Sequence, residues 1–266
     1  MSDINFSMTI ECENLTIAVG ARMLVDKLEL TCRDGDFVCI LGRNGVGKTL
    51  SLHTLAGLRP PAGGEVRLHG DRLDRLDRPV IARRLGLLLQ THDDAFPITV
   101  LETALLGRHA RLGFWQWESD RDVACAEAAL VAMGLADLRQ RMTATLSGGE
   151  RRRLALATLL VQDPDVLLLD EPMNHLDPLH KLDVLRRLKA LAGTGKTIVA
   201  CLHDPLLAWR FADFVLMLHG DGAWEFGSVA RMLTIDKLEA LYGTPFAEFT
   251  RDGQSVLLPV PMPDPG

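Results

Sequence analysis

Three short stretches of the chain combine residue types that could do chemistry on phosphate. The first is GRNGVGKT, from Gly42 to Thr49, which follows an apolar run and opens a helix-forming one. It matches G-x-x-x-x-G-K-[ST] in the strand–loop–helix setting that the pattern requires. Gly42, Gly45 and Gly47 let the backbone, through Arg43, Asn44 and Val46, wrap around phosphates. The helix that follows, from Lys48 through Leu50, points its positive end at them. Lys48 brings a mobile cation to the β- and γ-phosphates, and the Thr49 hydroxyl is suited to Mg²⁺. The second stretch is VLLLDEP, residues 166–172, where an apolar strand ends in two carboxylates. There Asp170 can hold Mg²⁺ through water and Glu171 can polarise an attacking water. The third is LSGGE, residues 146–150. Ser147, Gly148 and Gly149 make poor helix and poor strand but a good anion cradle. A chain that already owns one phosphate loop thus carries a second.

These residues need elements to hold them. Apolar runs recur as FVCIL (37–41), LGLLL (85–89), VLLL (166–169), TIVACL (197–202) and FVLML (214–218). Each reads as a strand buried on both faces, the pattern of a parallel sheet covered by helices. Helical stretches alternate with them, as at 48–57 and 179–192. Residues 8–34 and 64–70 read as short alternating strands of an N-terminal antiparallel sheet. Residues 100–160 are almost strand-free and read as a helical insertion. The expected fold is therefore α/β, a P-loop NTPase core with a mainly parallel sheet, an antiparallel β subdomain and a helical subdomain. A single domain is expected over 1–250, the helical part at about 95–160, and an extended tail over 251–266, where prolines accumulate.

Composition narrows the function. The chain has 266 residues, 47% of them hydrophobic, enough for a well-buried core. Its 29 basic and 35 acidic residues leave a net charge of −6, which argues against nucleic acid as the main partner. Arg151, Arg152 and Arg153 form a basic triplet that reads as a solvated helix face. Five scattered cysteines form no CxxC pair, so a reducing compartment is expected, without disulfides or a zinc site. No stretch approaches the ~18 apolar residues of a membrane span, and a soluble protein is expected.

Taken together, the motifs resemble those of the ATP-binding-cassette (ABC) ATPases, over about residues 10–245. The P-loop, Gln90 after LGLLL, LSGGE, the acidic strand, NHLD (174–177) and His203 in CLHD occur in the family's order. The resemblance implies that LSGGE caps the ATP held by a second subunit, so that two ATP molecules are sandwiched in a head-to-tail homodimer. It implies that Ser147 and Gly149 donate to the γ-phosphate across the dimer, and that Gln90 contacts Mg²⁺ and the attacking water. Glu171 would be the general base, His203 would hold the γ-phosphate, and Asp177 would help knit the two sites. ATP and Mg²⁺ are the implied cofactors. The sequence departs from the family at Val19, where an adenine-stacking aromatic is usual, and at Met173, where a small hydroxyl residue is usual.

FPITVLETALLGRHARLG and MLTIDKLEALYGTPF further resemble segments of the ATPases of iron-siderophore, haem and cobalamin importers. That implies a membrane permease as partner, a substrate-binding protein in the full system, and peripheral attachment to the cytoplasmic side of the inner membrane. An exporter or lipid-transporter ATPase remains a rival reading. A soluble cassette protein acting on ribosomes or DNA is another. Against it, the chain carries one cassette, not two, and the stretch from Thr49 to Leu146 has no room for a long coiled coil. Phe114, Trp115 and Trp117 either line a groove for a permease helix or cover the insertion's own core.

Overall fold

The computed structural model describes residues 8–90, 97–112, 116–251 and 254–261. The chain begins with β1 (Met8–Val19), β2 (Arg22–Arg33) and β3 (Phe37–Leu41), and the P-loop then leads into α1 (Lys48–Leu55). Next come β4 (Gly63–Leu68), β5 (Asp71–Arg72), α2 (Arg78–Arg84) and β6 (Leu85–Leu88). Three helices follow, α3 (Val100–Leu105), α4 (Asp120–Ala132) and α5 (Gly148–Gln162), before β7 (Val166–Asp170). The alternation then resumes with α6 (Pro178–Ala192), β8 (Thr197–Cys201), α7 (Pro205–Phe211) and β9 (Phe214–Leu218). The chain closes with β10 (Trp224–Ser228), α8 (Val229–Met232), α9 (Ile235–Tyr242), β11 (Phe246–Arg251) and β12 (Gln254–Pro259).

The six-stranded sheet runs β10-β9-β3-β8-β7-β6, parallel except for β10. Its strands are apolar throughout because both faces are covered, and residues alternate between two cores with the period of two that a strand imposes. Phe37, Cys39 and Leu41 of β3, with Leu167 and Leu169 of β7, face the core shared with α5, α6 and α9. Val38, Ile40, Val166 and Leu168 face the other core, shared with α1 and the antiparallel sheet β2-β1-β4-β5. The expected α/β architecture with its two added subdomains is present. Of the five parallel strands, β3, β8, β7 and β6 end side by side, and the segments that leave their C-terminal ends carry Lys48, His203, Glu171 and Gln90. The C-terminal edge of such a sheet is where ligands are bound in open α/β folds.

The helical insertion is pinned by three reciprocal caps. Thr99 with Glu102, Ser119 with Asp122, and Ser147 with Glu150 each form a capping box at the start of α3, α4 and α5. One expectation needs revision. The basic triplet is only partly a solvated face: Arg151 is exposed though it bonds the Leu146 carbonyl, Arg152 is 4% exposed, and the half-buried Arg153 bonds the carbonyls of Met133 and Gly134. Each guanidinium finds backbone oxygens at an element's end, a use of charge that composition alone does not reveal. Within the expected tail, Gln254–Pro259 forms β12, which pairs with β11, and Leu257 packs on the main core. Of the aromatic trio, Phe114 and Trp115 lie outside the described residues, and Trp117 is 89% exposed. No described helix is long and apolar enough to cross a membrane.

Candidate functional site

The P-loop turns sharply because its glycines allow it. Gly45 has φ 77° and Gly47 φ 109°, in the left-handed region that side chains avoid. At Gly47 a side chain would also meet Leu24 of β2, its Cβ only 3.0 Å from Leu24 Cδ1. Gly47 caps α1 without a side chain, so the first N–H groups of that helix stay available to an anion. Val46 is buried and turned towards Gly220, so only its backbone faces the loop's interior. Lys48 Nζ donates to the carbonyls of Gly42 (2.8 Å) and Arg43 (3.1 Å), which holds the cation across the mouth of the loop. Burial lowers its pKa, and nearby acidic groups, Glu171 and Asp170 among them, oppose that shift.

A cavity of about 360 Å³ opens here, lined by Asn44, Gly45, Gly47, Lys48, Thr49, Leu50, Gln90, Glu171 and His203. Residues from four separate segments converge on it. Glu171 is its focus. Its Oε1 lies 2.5 Å from His203 Nε2, and its Oε2 accepts from Gln90 Nε2 at 3.0 Å and from Asn174 Nδ2 at 2.5 Å. Burial would raise the Glu171 pKa, but the bonds from Asn174 and His203 outweigh it and hold the carboxyl below its ordinary value. The carboxylate is therefore charged at neutral pH, as a general base must be. The residue sits at φ 48°, a backbone conformation uncommon outside glycine. Asn174 opens NHLD but has no role among the site residues expected from the sequence. Its place three residues after Glu171 is the signal that points to it.

Asp170 lies at the end of β7, 1% exposed, with both carboxylate oxygens lacking a hydrogen bond of ordinary geometry. Burial raises its pKa, and the Thr49 hydroxyl pulls the other way. Buried carboxylates are normally paired or bound to a cation. An unpaired carboxylate beside a threonine hydroxyl is a hard-oxygen donor pair that fits Mg²⁺, which takes few protein ligands and fills its shell with water and phosphate, and Gln90 lines the same cavity as Thr49. No cluster of three or more His, Cys, Asp or Glu ligands occurs among the described residues, so an all-protein metal cage is absent there.

The second cradle lies elsewhere. None of Ser147, Gly148, Gly149 or Asp177 lines the P-loop cavity. Ser147 N-caps α5 and its Oγ accepts from Glu150 N at 3.3 Å, while Glu150 Oε2 accepts from Ser147 N at 2.7 Å. The motif thus doubles as a capping box, in which the Ser147 side chain also bonds the Glu150 carboxylate and helps lower its pKa, while the N–H groups of Gly148 and Gly149 in the first turn of α5 have no intrahelical acceptor. Gly149 has no room for a side chain, since a Cβ would stand 2.9 Å from the His175 carbonyl. Asp177 caps α6, accepting from His180 N at 2.9 Å, and pairs with His180 Nδ1 at 2.7 Å.

Val19 is 44% exposed at the turn between β1 and β2, opposite Arg22. Met173 is buried and lines a cavity of about 390 Å³ behind Glu171 and His203, with Leu182, Leu202 and Leu207.

Comparison with known proteins agrees with this geometry. A family model described as "ABC transporter" matches residues 25–174. A hemin import ATP-binding protein of Bradyrhizobium diazoefficiens is 36% identical over 267 residues, covering 96% of either chain. A ferric enterobactin transport ATP-binding protein of Escherichia coli is 35% identical, covering 87% of this chain and 86% of that one. Among solved structures, a metal-chelate type ABC transporter in an inward-facing conformation superposes with a TM-score of 0.83 at 26% identity, covering 97% of this chain and 98% of that one. A dimeric ATP-binding cassette in a post-hydrolysis state, with ADP and phosphate bound, gives 0.72 at 26% identity, over 83% and 98% of the two chains. The chain belongs to the ABC transporter family, as an ATP-binding subunit.

Proposed function

We propose that this chain is the Mg²⁺-dependent ATPase of an importer for a metal chelate of the iron-siderophore, haem or cobalamin kind, working as a head-to-tail homodimer. One observation carries the dimer: the signature cradle, Ser147 to Gly149, stands outside the cavity that gathers the P-loop, Gln90, Glu171 and His203. Both cradles open a helix and so present its first backbone N–H groups, and a two-fold arrangement gives each a nucleotide. A related ATP-binding cassette with ADP and phosphate bound is dimeric, which supports a dimer here. The importer reading rests on the relatives that move achromobactin, hemin, ferric enterobactin and petrobactin.

In this reading ATP sits on the P-loop, with Lys48 and the N–H groups of Arg43 to Leu50 around its phosphates. Mg²⁺, when bound, would be held by Thr49 and Asp170, with Gln90 nearby, and would neutralise phosphate charge. Glu171 takes the proton of the attacking water, with Asn174 keeping the carboxylate ionised and aimed. His203, now bonded to Glu171, turns to the γ-phosphate when nucleotide arrives. Ser147, Gly148 and Gly149 of the partner close over it, and Asp177 lies beside that seam. The permease is a separate membrane protein, a substrate-binding protein delivers the cargo, and the ATPase attaches peripherally at the cytoplasmic face of the inner membrane. Nucleic acid is not a partner. Co-purification from membranes, followed by identification of the permease, tests the transport reading. Recovery of ribosomes or DNA instead would overturn it.

A further inference from the structure

Arg152 is the most deeply buried of the three arginines that follow the signature, and its guanidinium hydrogen-bonds to backbone oxygens of two loops. Nη1 donates to the Leu89 carbonyl at 2.5 Å. Nη2 donates to Glu171 O at 2.8 Å and to Asp170 O, and Nε reaches Pro172 O at 3.4 Å. A guanidinium has five donors in a rigid planar fork, and this one spends them on two different loops. Leu89 is the residue before Gln90. Asp170, Glu171 and Pro172 are the turn that carries the base, and Glu171 holds its left-handed conformation there. Burial lowers the Arg152 pKa to about 10, so the group stays protonated at neutral pH.

Arg152 also belongs to the second turn of α5, whose first turn is the signature. The same helix therefore carries the donors for one nucleotide and the fastening of the machinery for another. We infer that Arg152 is a positioning residue that ties the signature helix to the loops bearing Glu171 and Gln90, so that a shift of α5 at one ATP site is felt by the general base at the other. The second half of this statement rests on the head-to-tail reading above; the first half does not. A lysine has three donors on a flexible stem and a glutamine has two, so neither can hold both loops in one plane. Misplacing a catalytic group by about 1 Å costs on the order of a hundredfold in rate.

The test is steady-state ATP hydrolysis by wild type, Arg152→Lys and Arg152→Gln, with nucleotide affinity and thermal midpoint measured on the same preparations. The expected result is kcat lowered about 10–100-fold in the glutamine variant and less in the lysine variant, with KM and nucleotide affinity within about threefold. A cooperative dependence on ATP in wild type should fall towards a Hill coefficient near one in both variants. Unchanged kcat in the glutamine variant overturns the assignment. So does a loss that tracks thermal stability and raises KM equally, because that is damage to the fold. Lowered kcat with unchanged cooperativity overturns the coupling between sites and leaves the positioning of Glu171 standing. The head-to-tail reading is tested separately with mixed subunits, so its failure is distinguishable from either of these.

Discussion

Replacing Glu171 by glutamine isolates the role of its charge, because the site can accept the amide almost unchanged. The carboxylate now receives three contacts, two at Oε2 from Gln90 and Asn174 and one at Oε1 from His203. A glutamine that puts its carbonyl oxygen at the Oε2 position keeps the first two. Its NH₂ then faces His203 Nε2, which becomes an acceptor once the ring proton moves to Nδ1. Nucleotide binding should therefore survive. The general base does not, and such a base contributes roughly 10²–10⁴-fold. At about 1.36 kcal/mol per tenfold, that is a barrier increase of about 2.7–5.4 kcal/mol. Alanine at the same position would instead strand three donors in a half-closed site and blur the reading. The assay is phosphate release at saturating Mg·ATP, beside ATP affinity and sizing with and without Mg·ATP. Glu171→Gln should bind ATP, hydrolyse it at least about a hundredfold more slowly, and elute as a dimer when ATP is present. Hydrolysis within a few-fold of wild type would refute the assignment of Glu171 as base.

Val19→Tyr should tighten ATP binding about tenfold, a gain of ~1.4 kcal/mol within the roughly 1–3 kcal/mol of base–aromatic stacking. Val19 is largely open to solvent, so the ring has space; equal ATP affinities for both forms would refute this placement of the adenine. Discrimination between ATP and GTP should be weak in wild type and grow in the tyrosine variant. Asp122 is held down to about 2 by bonds from Ser119 and Arg108, against an ordinary value of 3.8. A carboxyl depressed on folding stabilises above its unfolded pKa and loses that contribution as the pH falls through its folded one. Asp122→Asn should thus lower the unfolding midpoint at neutral pH, with the gap to wild type narrowing below about pH 4 and closing near about pH 2. A pH-independent gap would mean that packing, not charge, is lost.

Much of the site could be read before the fold was known, because its residues obey local spacing. The P-loop needs its glycines in one turn, and the DE pair must follow an apolar strand, so both show up as contiguous text. The doubly buried strands were legible for the same reason, since burial on both faces leaves no polar residue in 37–41 or 214–218. What escaped was made by residues whose partners are distant in sequence or are backbone. Arg152 looks like any solvated arginine until the carbonyls of Leu89 and of residues 170–172 are brought beneath it. Glu150 read as one letter of an anion motif, yet it also closes a capping box with Ser147. The pairing of β12 with β11 was masked by the prolines that follow it, although Val256 and Leu257 lie in a strand pattern.

The central claim is that the P-loop of one subunit and the signature of another complete a single ATP site. It is tested most directly by mixing Lys48→Ala subunits with Ser147→Arg subunits and measuring ATP hydrolysis. Each variant alone has no intact site. In a mixed dimer, the unaltered P-loop of the Ser147→Arg subunit meets the unaltered signature of the Lys48→Ala subunit, restoring one site of two. Random pairing then predicts recovery of up to about a quarter of wild-type activity. A mixture no more active than either variant alone would contradict the shared site.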